Sequence, residues 1–156
     1  MKSRHDIFEA TCLSEFSYLS DYGFTLVKTD ADNYGRYLTY KNQWIALRVA
    51  LVGSGIEIVF YLLRDGVIPS YPIFFSPKED FNVFNATDLL VIKTGTNIEQ
   101  NPRLLYEEHY LRAKVKEMAE LLRRHASDVF RGNFEVVPKI RELVVRRWCE
   151  LKDEQN

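Results

Sequence analysis

The sequence predicts an α+β protein in which helices pack on one face of an antiparallel sheet. Three observations lead to this fold class. Apolar residues recur at three- and four-residue spacing near both ends of the chain, they alternate with polar residues through the middle, and short turns separate the alternating segments. The length of 156 residues suits one domain spanning 1–156. With 46% hydrophobic residues the composition predicts a folded core, not disorder.

The first predicted element is a helix over residues 7–22. Its apolar stripe repeats every three or four residues and consists of Phe8, Cys12, Phe16 and Leu19. Gly23 follows directly, at the place where a helix commonly ends in a residue with positive φ. We therefore expect an N-terminal helix whose apolar stripe faces the sheet.

Four strands joined by short turns are predicted next. The strands cover, in order, residues 24–29, 34–41, 44–52 and 56–64. The turn at 30–33 is rich in Asp and Asn, whose side chains hydrogen-bond to their own local backbone. The turns at 42–43 and 53–55 are short enough to form hairpins. The sequence therefore predicts a four-stranded antiparallel meander.

Residues 65–86 predict a loop that packs down on the sheet. Three prolines exclude a continuous helix or a central strand, yet the segment carries many large apolar side chains that should not stay in water. A short helix through Ile92 is predicted after the loop. Asn85 or Thr87 would cap its start, and Gly95 would follow its end.

Two long helices are predicted for the C-terminal part, and we expect both to pack on one face of the sheet. The first covers residues 104–130 and has an apolar stripe over about five turns. The second begins near Pro138, a residue that suits the first turn of a helix. Its apolar stripe would also allow a homodimer.

The sequence favours a cytoplasmic protein with no membrane span. No signal-peptide-like apolar stretch follows the charged start of the chain, and no window approaches 18 uncharged apolar residues. Cys12 and Cys149 lie near opposite ends of the chain. Two buried thiols are favoured over a disulfide between them.

The charge distribution argues against a nucleic-acid-binding protein. Lys and Arg number 21 and Asp and Glu 22, which gives a net charge of -1. Arg123-Arg124 and Arg146-Arg147 are paired basic residues on the two long helices. Because Glu residues are interleaved with them, we interpret them as solvated helix faces and not as a nucleic-acid-binding ridge.

The sequence shows no motif of a catalytic, metal or cofactor site. His109 and His125 face opposite sides of one predicted helix, so they cannot share a metal ion there. Asp30 and Asp32 lack the spacing of a calcium loop and fit a solvated turn better. There is no nucleophile elbow and no phosphate-binding loop. We therefore expect a non-enzymatic protein without metal or cofactor.

The two faces of the predicted sheet differ in composition. One is aliphatic, as with Leu47 and Val49, and should lie beneath the helices; the reverse face mixes aromatic residues with Arg48 and Glu57. Either the loop 65–86 covers this reverse face or a partner or ligand does, and pairing of Arg48 with Glu57 would neutralise both charges. The candidate partner-binding residues are Tyr37, Trp44, Arg48 and Tyr61 on the face, with Asp30, Asp32 and Tyr34 at the adjoining turn.

Residues 10–65 carry a resemblance to known proteins. The Asp21-Tyr22-Gly23-Phe24 helix end and the Tyr34-Gly35-Arg36-Tyr37 strand, with the Ile45–Val49 and Ile58–Phe60 strands, resemble small bacterial α+β proteins. Some of those proteins are regarded as immunity proteins of toxin systems. The resemblance implies an inhibitor that binds a toxin, and it transfers no functional residue.

These observations predict a protein that binds a partner protein through the reverse face of its sheet. Aromatic residues with an Arg are typical of the central part of a protein interface. The alternative is a small-molecule-binding protein or enzyme with a pocket between the sheet and the loop 65–86.

Overall fold

The computed structural model describes residues 2–71 and 80–155 and confirms the predicted α+β fold class. The helices and strands are, in chain order, α1 (Arg4–Glu15), β1 (Thr25–Ala31), β2 (Gly35–Lys41), β3 (Ile45–Val52), β4 (Gly55–Leu62), β5 (Val83–Asn85), α2 (Ala86–Thr94), α3 (Glu108–His125), α4 (Ser127–Phe130) and α5 (Val137–Glu154). Two short 3₁₀ helices, Ser17–Tyr22 and Leu104–Tyr106, precede β1 and α3.

The sheet is an antiparallel meander with the strand order β1-β2-β3-β4-β5. Its first four strands are the four predicted ones, because alternating apolar residues and short turns determine both the strands and their pairing. The fifth strand was not predicted. Val83–Asn85 is only three residues long and pairs with Val59–Tyr61 of β4, so its sequence carries too few alternations to show a period.

The N-terminal helical segment ends where the sequence predicts, although its last part is not α-helical. Ser3 caps α1 by accepting from the backbone N–H of Asp6, and Asp6 accepts from the N–H of Ser3 in return. After α1 the chain continues as a 3₁₀ helix to Tyr22 and ends at Gly23, whose φ is 79°. That left-handed conformation is the one that glycine adopts without strain.

The long helix expected over residues 104–130 is divided into three pieces. Glu107 adopts an extended conformation with ψ of 127°, which separates a 3₁₀ turn from α3. A second interruption at Ala126 separates α3 from α4. The apolar stripe nevertheless runs through the break, since Leu122, Ala126 and Val129 are all fully buried. Buried positions therefore keep their spacing even where the backbone departs from the helix.

The main core lies between the helices and the aliphatic face of the sheet. Leu47 and Val49 of β3 are fully buried there, as predicted, in one cluster with Phe8 of α1 and Leu111 of α3. Phe130 of α4 contacts the aromatic residues of the same core. This face of the sheet is thus closed by the protein itself, and a binding surface on the sheet must lie on the reverse face.

The last helix is less buried than its apolar stripe indicates. Ile140 is its fully buried residue, whereas Leu151 is 59% exposed. Arg147 of α5 makes an ion pair with Asp88, a buried residue of α2. Cys149 is exposed, so the expectation of two buried thiols is wrong for this residue, because α5 projects beyond the core near its end. Cys12 is buried, and both thiols are free.

The two outer edges of the sheet differ. All seven residues of β1 are exposed, and the register shift between Leu26 and Lys28 interrupts its pairing with β2. On the other side, β5 pairs with β4. Further along the same edge of β4, the side-chain amide of Gln100 accepts from the N–H of Ile56 and donates to the Ile56 carbonyl, at 2.8 Å each.

No helix in the described part of the chain is both long enough and apolar enough to cross a membrane.

Candidate functional site

The reverse face of the sheet is partly covered by the protein's own chain. Tyr61, Ala46, Val59 and Val83 form a small second cluster on this face, and the side chains of Leu63 and Ile68 pack against it. Tyr61 is only 4% exposed as a result. The predicted packing of the loop 65–86 on the sheet is therefore observed for its first residues. The apolar residues at 72–79 lie outside the described residues.

An open cleft occupies the remaining part of the reverse face. Its volume is about 810 Å³. The walls come from the first four strands and from the chain after β4, and the lining residues are Val27, Lys28, Asp30, Ala31, Asp32, Tyr37, Thr39, Arg48, Val52, Glu57, Tyr61, Ile68, Pro69 and Tyr71. Five of the seven residues singled out from the sequence line this cleft, namely Tyr37, Arg48, Tyr61, Asp30 and Asp32.

Trp44 and Tyr34 are not among the residues that line the cleft. The side-chain oxygen of Asn42 accepts from the backbone N–H of Trp44 and of Ile45, so the chain turns here and β3 begins one residue later than predicted. Trp44 consequently lies outside the alternation of the strand, and its ring faces Gly132 near the end of α4. Tyr34 is 74% exposed in the β1–β2 turn.

Arg48 occupies the middle of the cleft among three tyrosines. Its guanidinium carbon lies 5.5 Å from the ring centre of Tyr37 and 5.7 Å from those of Tyr61 and Tyr71. These distances are within the range of cation–π attraction. The Nε atom of Arg48 is buried and has no hydrogen-bond partner among the described residues. The aromatic rings thus stabilise the charge of Arg48 but leave a donor unused.

Arg48 and Glu57 do not form the expected ion pair. In the β3–β4 register Arg48 faces Val59, whereas Glu57 faces Ala50, so the two charged residues are diagonal neighbours. No ion pair of either residue occurs within the described chain. The cleft therefore contains one positive and one negative side chain that the described residues leave unpaired.

The acidic residues at the β1–β2 turn are engaged with the protein itself. Asp30 pairs with Lys28 at 2.9 Å. Asp32 accepts from the backbone N–H groups of Tyr34 and Gly35, both at 2.8 Å, and from the hydroxyl of Tyr37. The bond from the Tyr34 N–H lowers the pKa of Asp32. This matches the predicted turn chemistry, in which the Asp side chain holds its own local backbone.

The three tyrosines of the cleft keep their protons at neutral pH. Burial raises the pKa of Tyr61, of Tyr71 and of Tyr37, and the nearby Glu57 carboxylate adds to this effect in each case. All three hydroxyl groups therefore stay protonated, and that of Tyr37 donates to Asp32. The cleft combines these hydroxyls with aromatic walls and two unpaired charges, which equips it for binding.

Sequence reasoning missed two contributors to the site. Glu57 was recognised on the reverse face but was expected to be neutralised by Arg48. Tyr71 belongs to the loop after β4, and only the expectation that this apolar loop packs on the sheet pointed toward it. Within the described residues no group of three or more His, Cys, Asp or Glu side chains could hold a metal ion.

The fold and the cleft define a class of protein: an α+β protein with helices on one face of an antiparallel meander and an open, mixed-charge cleft on the other. Comparison with protein-family models, with curated proteins and with solved structures finds no match for this chain.

Proposed function

We propose that this is a non-enzymatic binding protein of the cytoplasm, which binds a segment of a partner protein in the cleft on the reverse face of its sheet. The observation that carries the proposal is Arg48. Half-buried among three tyrosines, its guanidinium has no ion-pair partner among the described residues. A charge-assisted hydrogen bond from this group to a ligand contributes about 1.5–3 kcal/mol.

The composition of the cleft supports a protein partner. Tyrosine and arginine are enriched among the residues that contribute most to binding free energy at protein interfaces. Four residues of the exposed strand β1 and Asp32 of the following turn form one side of the cleft, so a partner that enters it also meets an open strand edge. The cleft and the strand edge together form one continuous surface for a partner protein.

The particular partner that we propose is a bacterial toxin, which this protein would inhibit. The support is the resemblance of residues 10–65 to small immunity-type α+β proteins. Inhibition requires only tight binding, and the residues of the cleft are of the kinds that bind protein partners. The test is to co-express the protein with the products of the genes beside its own. Relief of growth arrest by the wild type but not by Arg48→Gln is the expected result.

The general proposal is tested by photo-crosslinking from inside the cleft. A photoreactive phenylalanine at Thr39 should capture a partner that the same residue at Lys116, an exposed position on α3, does not capture. The partner is then purified and its affinity measured by calorimetry. We expect Arg48→Gln to weaken binding by about tenfold or more, and Lys116→Gln to leave it unchanged. Equal affinities for both variants would contradict the proposal.

A small-molecule-binding function is the second candidate, and the size of the cleft favours it. Its volume of about 810 Å³ falls in the range of about 300–1,000 Å³ that is usual for ligand pockets. Native mass spectrometry of the freshly purified protein discriminates the two functions. A bound compound that Arg48→Gln no longer retains would favour this candidate over a protein partner.

A further inference from the structure

We infer that the cleft recognises an extended partner segment with an acidic and a basic side chain two residues apart, the acidic one on Arg48 and the basic one on Glu57. The inference rests on the proposed binding of a partner protein and specifies the chemistry of the bound segment. It depends on three features: the two unpaired charges, their spacing, and the room between them.

The two unpaired charges favour a ligand that carries one positive and one negative charge. Arg48 and Glu57 lie on the same face, line the same cleft and have no ion-pair partner among the described residues. The other charged residues of the lining are engaged: Lys28 pairs with Asp30, and Asp32 accepts three hydrogen bonds. A ligand with a single negative charge would satisfy Arg48 but would meet the carboxylate of Glu57. A segment with one charge of each sign satisfies both residues.

The spacing of the two charges matches an extended chain. Arg48 faces Val59 in the register, and Glu57 precedes Val59 by two residues, so Arg48 and Glu57 are diagonal neighbours. Diagonal neighbours on an antiparallel pair are about 7–8 Å apart. Side chains two residues apart in an extended segment point to the same side and are separated by about 6.4–6.8 Å. An acidic and a basic residue at this interval can therefore meet both charges at once.

The floor of the cleft leaves room for such side chains. The cleft has a volume of about 810 Å³, and Tyr37 and Tyr71 form its walls around Arg48.

The inference is tested with two peptides of identical composition, using the full-length protein. The first is acetyl-Thr-Val-Glu-Thr-Lys-Val-Thr-amide, which presents Glu and Lys on one side when extended. The second is acetyl-Thr-Val-Glu-Lys-Thr-Val-Thr-amide, which presents them on opposite sides. Binding is followed by amide chemical shifts in ¹⁵N-labelled protein at peptide concentrations up to the low millimolar range. We expect the first peptide to bind at least about tenfold more tightly than the second and to shift resonances of β3 and β4.

Protein variants provide the second arm of the test. Arg48→Gln and Glu57→Gln each remove one charge and should each abolish the preference for the first peptide. Lys28→Gln changes a cleft residue that is already paired and should keep that preference. Each variant's amide spectrum verifies its fold, and Glu57→Gln keeps the inference testable if Arg48→Gln does not fold.

The outcomes separate this inference from the proposed function. Equal binding of the two peptides, or no shift with either, overturns the inference, whereas a partner cross-linked from Thr39 would still support the proposed function. Absence of any cross-linked partner together with selective peptide binding would count against the proposed function alone. The amphoteric compound 6-aminohexanoate is the third probe. If it binds as tightly as the first peptide, Arg48 and Glu57 bind a free small molecule, and the inference of a partner segment is wrong.

Discussion

Asn42 joins the β2–β3 turn to the ends of two helical segments, and Asn42→Ala is expected to destabilise the protein strongly. The side chain is only 7% exposed. Its Nδ2 donates to the carbonyl oxygens of Tyr22 at 3.1 Å and of Phe130 at 2.8 Å. Its Oδ1 accepts from the N–H of Trp44 at 2.9 Å and of Ile45 at 3.0 Å. All four hydrogen-bonding positions of the amide are therefore used.

The size of the effect follows from these four bonds. A hydrogen bond contributes about 0.5–1.5 kcal/mol net, so four of them give about 2–6 kcal/mol. The Trp44 N–H is only partly buried, and water can replace one partner there. We therefore expect Asn42→Ala to lower the free energy of unfolding by about 3 kcal/mol. Urea unfolding followed by circular dichroism measures this loss, and the m-value should not change, because the change is local.

Asn133→Ala is the matched control for this measurement. The Asn133 side chain accepts from the N–H of Glu135 at 3.1 Å in an exposed bond, which water can replace. The free energy of unfolding should fall by less than about 1 kcal/mol in Asn133→Ala. If Asn42→Ala costs no more than Asn133→Ala, the reasoning from buried hydrogen bonds is refuted.

Three further predictions concern other parts of the fold. A Cβ at Gly35 would lie 2.2 Å from the backbone oxygen of Leu51, so Gly35→Ala should cost more than about 3 kcal/mol in thermal or urea unfolding. A thiol reagent should modify Cys149 rapidly in the native protein and Cys12 only after denaturation, because burial raises the pKa of the Cys12 thiol. Gln100→Ala removes two backbone hydrogen bonds at the edge of β4 and should cost about 1–2 kcal/mol in urea unfolding.

Each of these three has a simple control. Gly55→Ala should be tolerated far better than Gly35→Ala, since the nearest atom to its Cβ, the Val52 oxygen, is 3.9 Å away. Equal losses for the two variants would refute the steric argument. Cys149→Ser should eliminate the rapid thiol reaction; a second rapid thiol would show that the buried one is accessible. A loss below about 0.5 kcal/mol for Gln100→Ala would mean that water replaces its amide.

The sheet could be predicted from the sequence because several local patterns indicate the same strands. Alternating apolar residues in β3 and β4 predict both the strands and the face that each side chain occupies, and the short turns predict their order. The position of Trp44 was missed because it depends on Asn42, whose side chain ends the turn through contacts with Tyr22 and Phe130. Such contacts join distant residues and leave no periodic pattern.

Most residues of the candidate site could also be predicted, but the pairing of its charges could not. Tyr37, Arg48 and Tyr61 follow from strand alternation alone. The unpaired state of Arg48 and Glu57 depends on a register in which they are diagonal and not opposite. Neither the exact register of β3 and β4 nor the position of Tyr71 was predicted, because the first depends on which residues the turn takes and the second on how the loop packs.

The unequal edges of the sheet limit how this molecule can polymerise. Within the described residues β1 offers a free strand edge of seven residues, whereas the outer edge of β4 is occupied by the three-residue strand β5 and by the amide of Gln100. Two molecules that join through their β1 strands use both long edges at once, and a third molecule meets only the three-residue edge of β5. Such a short edge is a poor template for strand addition, which disfavours growth into fibrils.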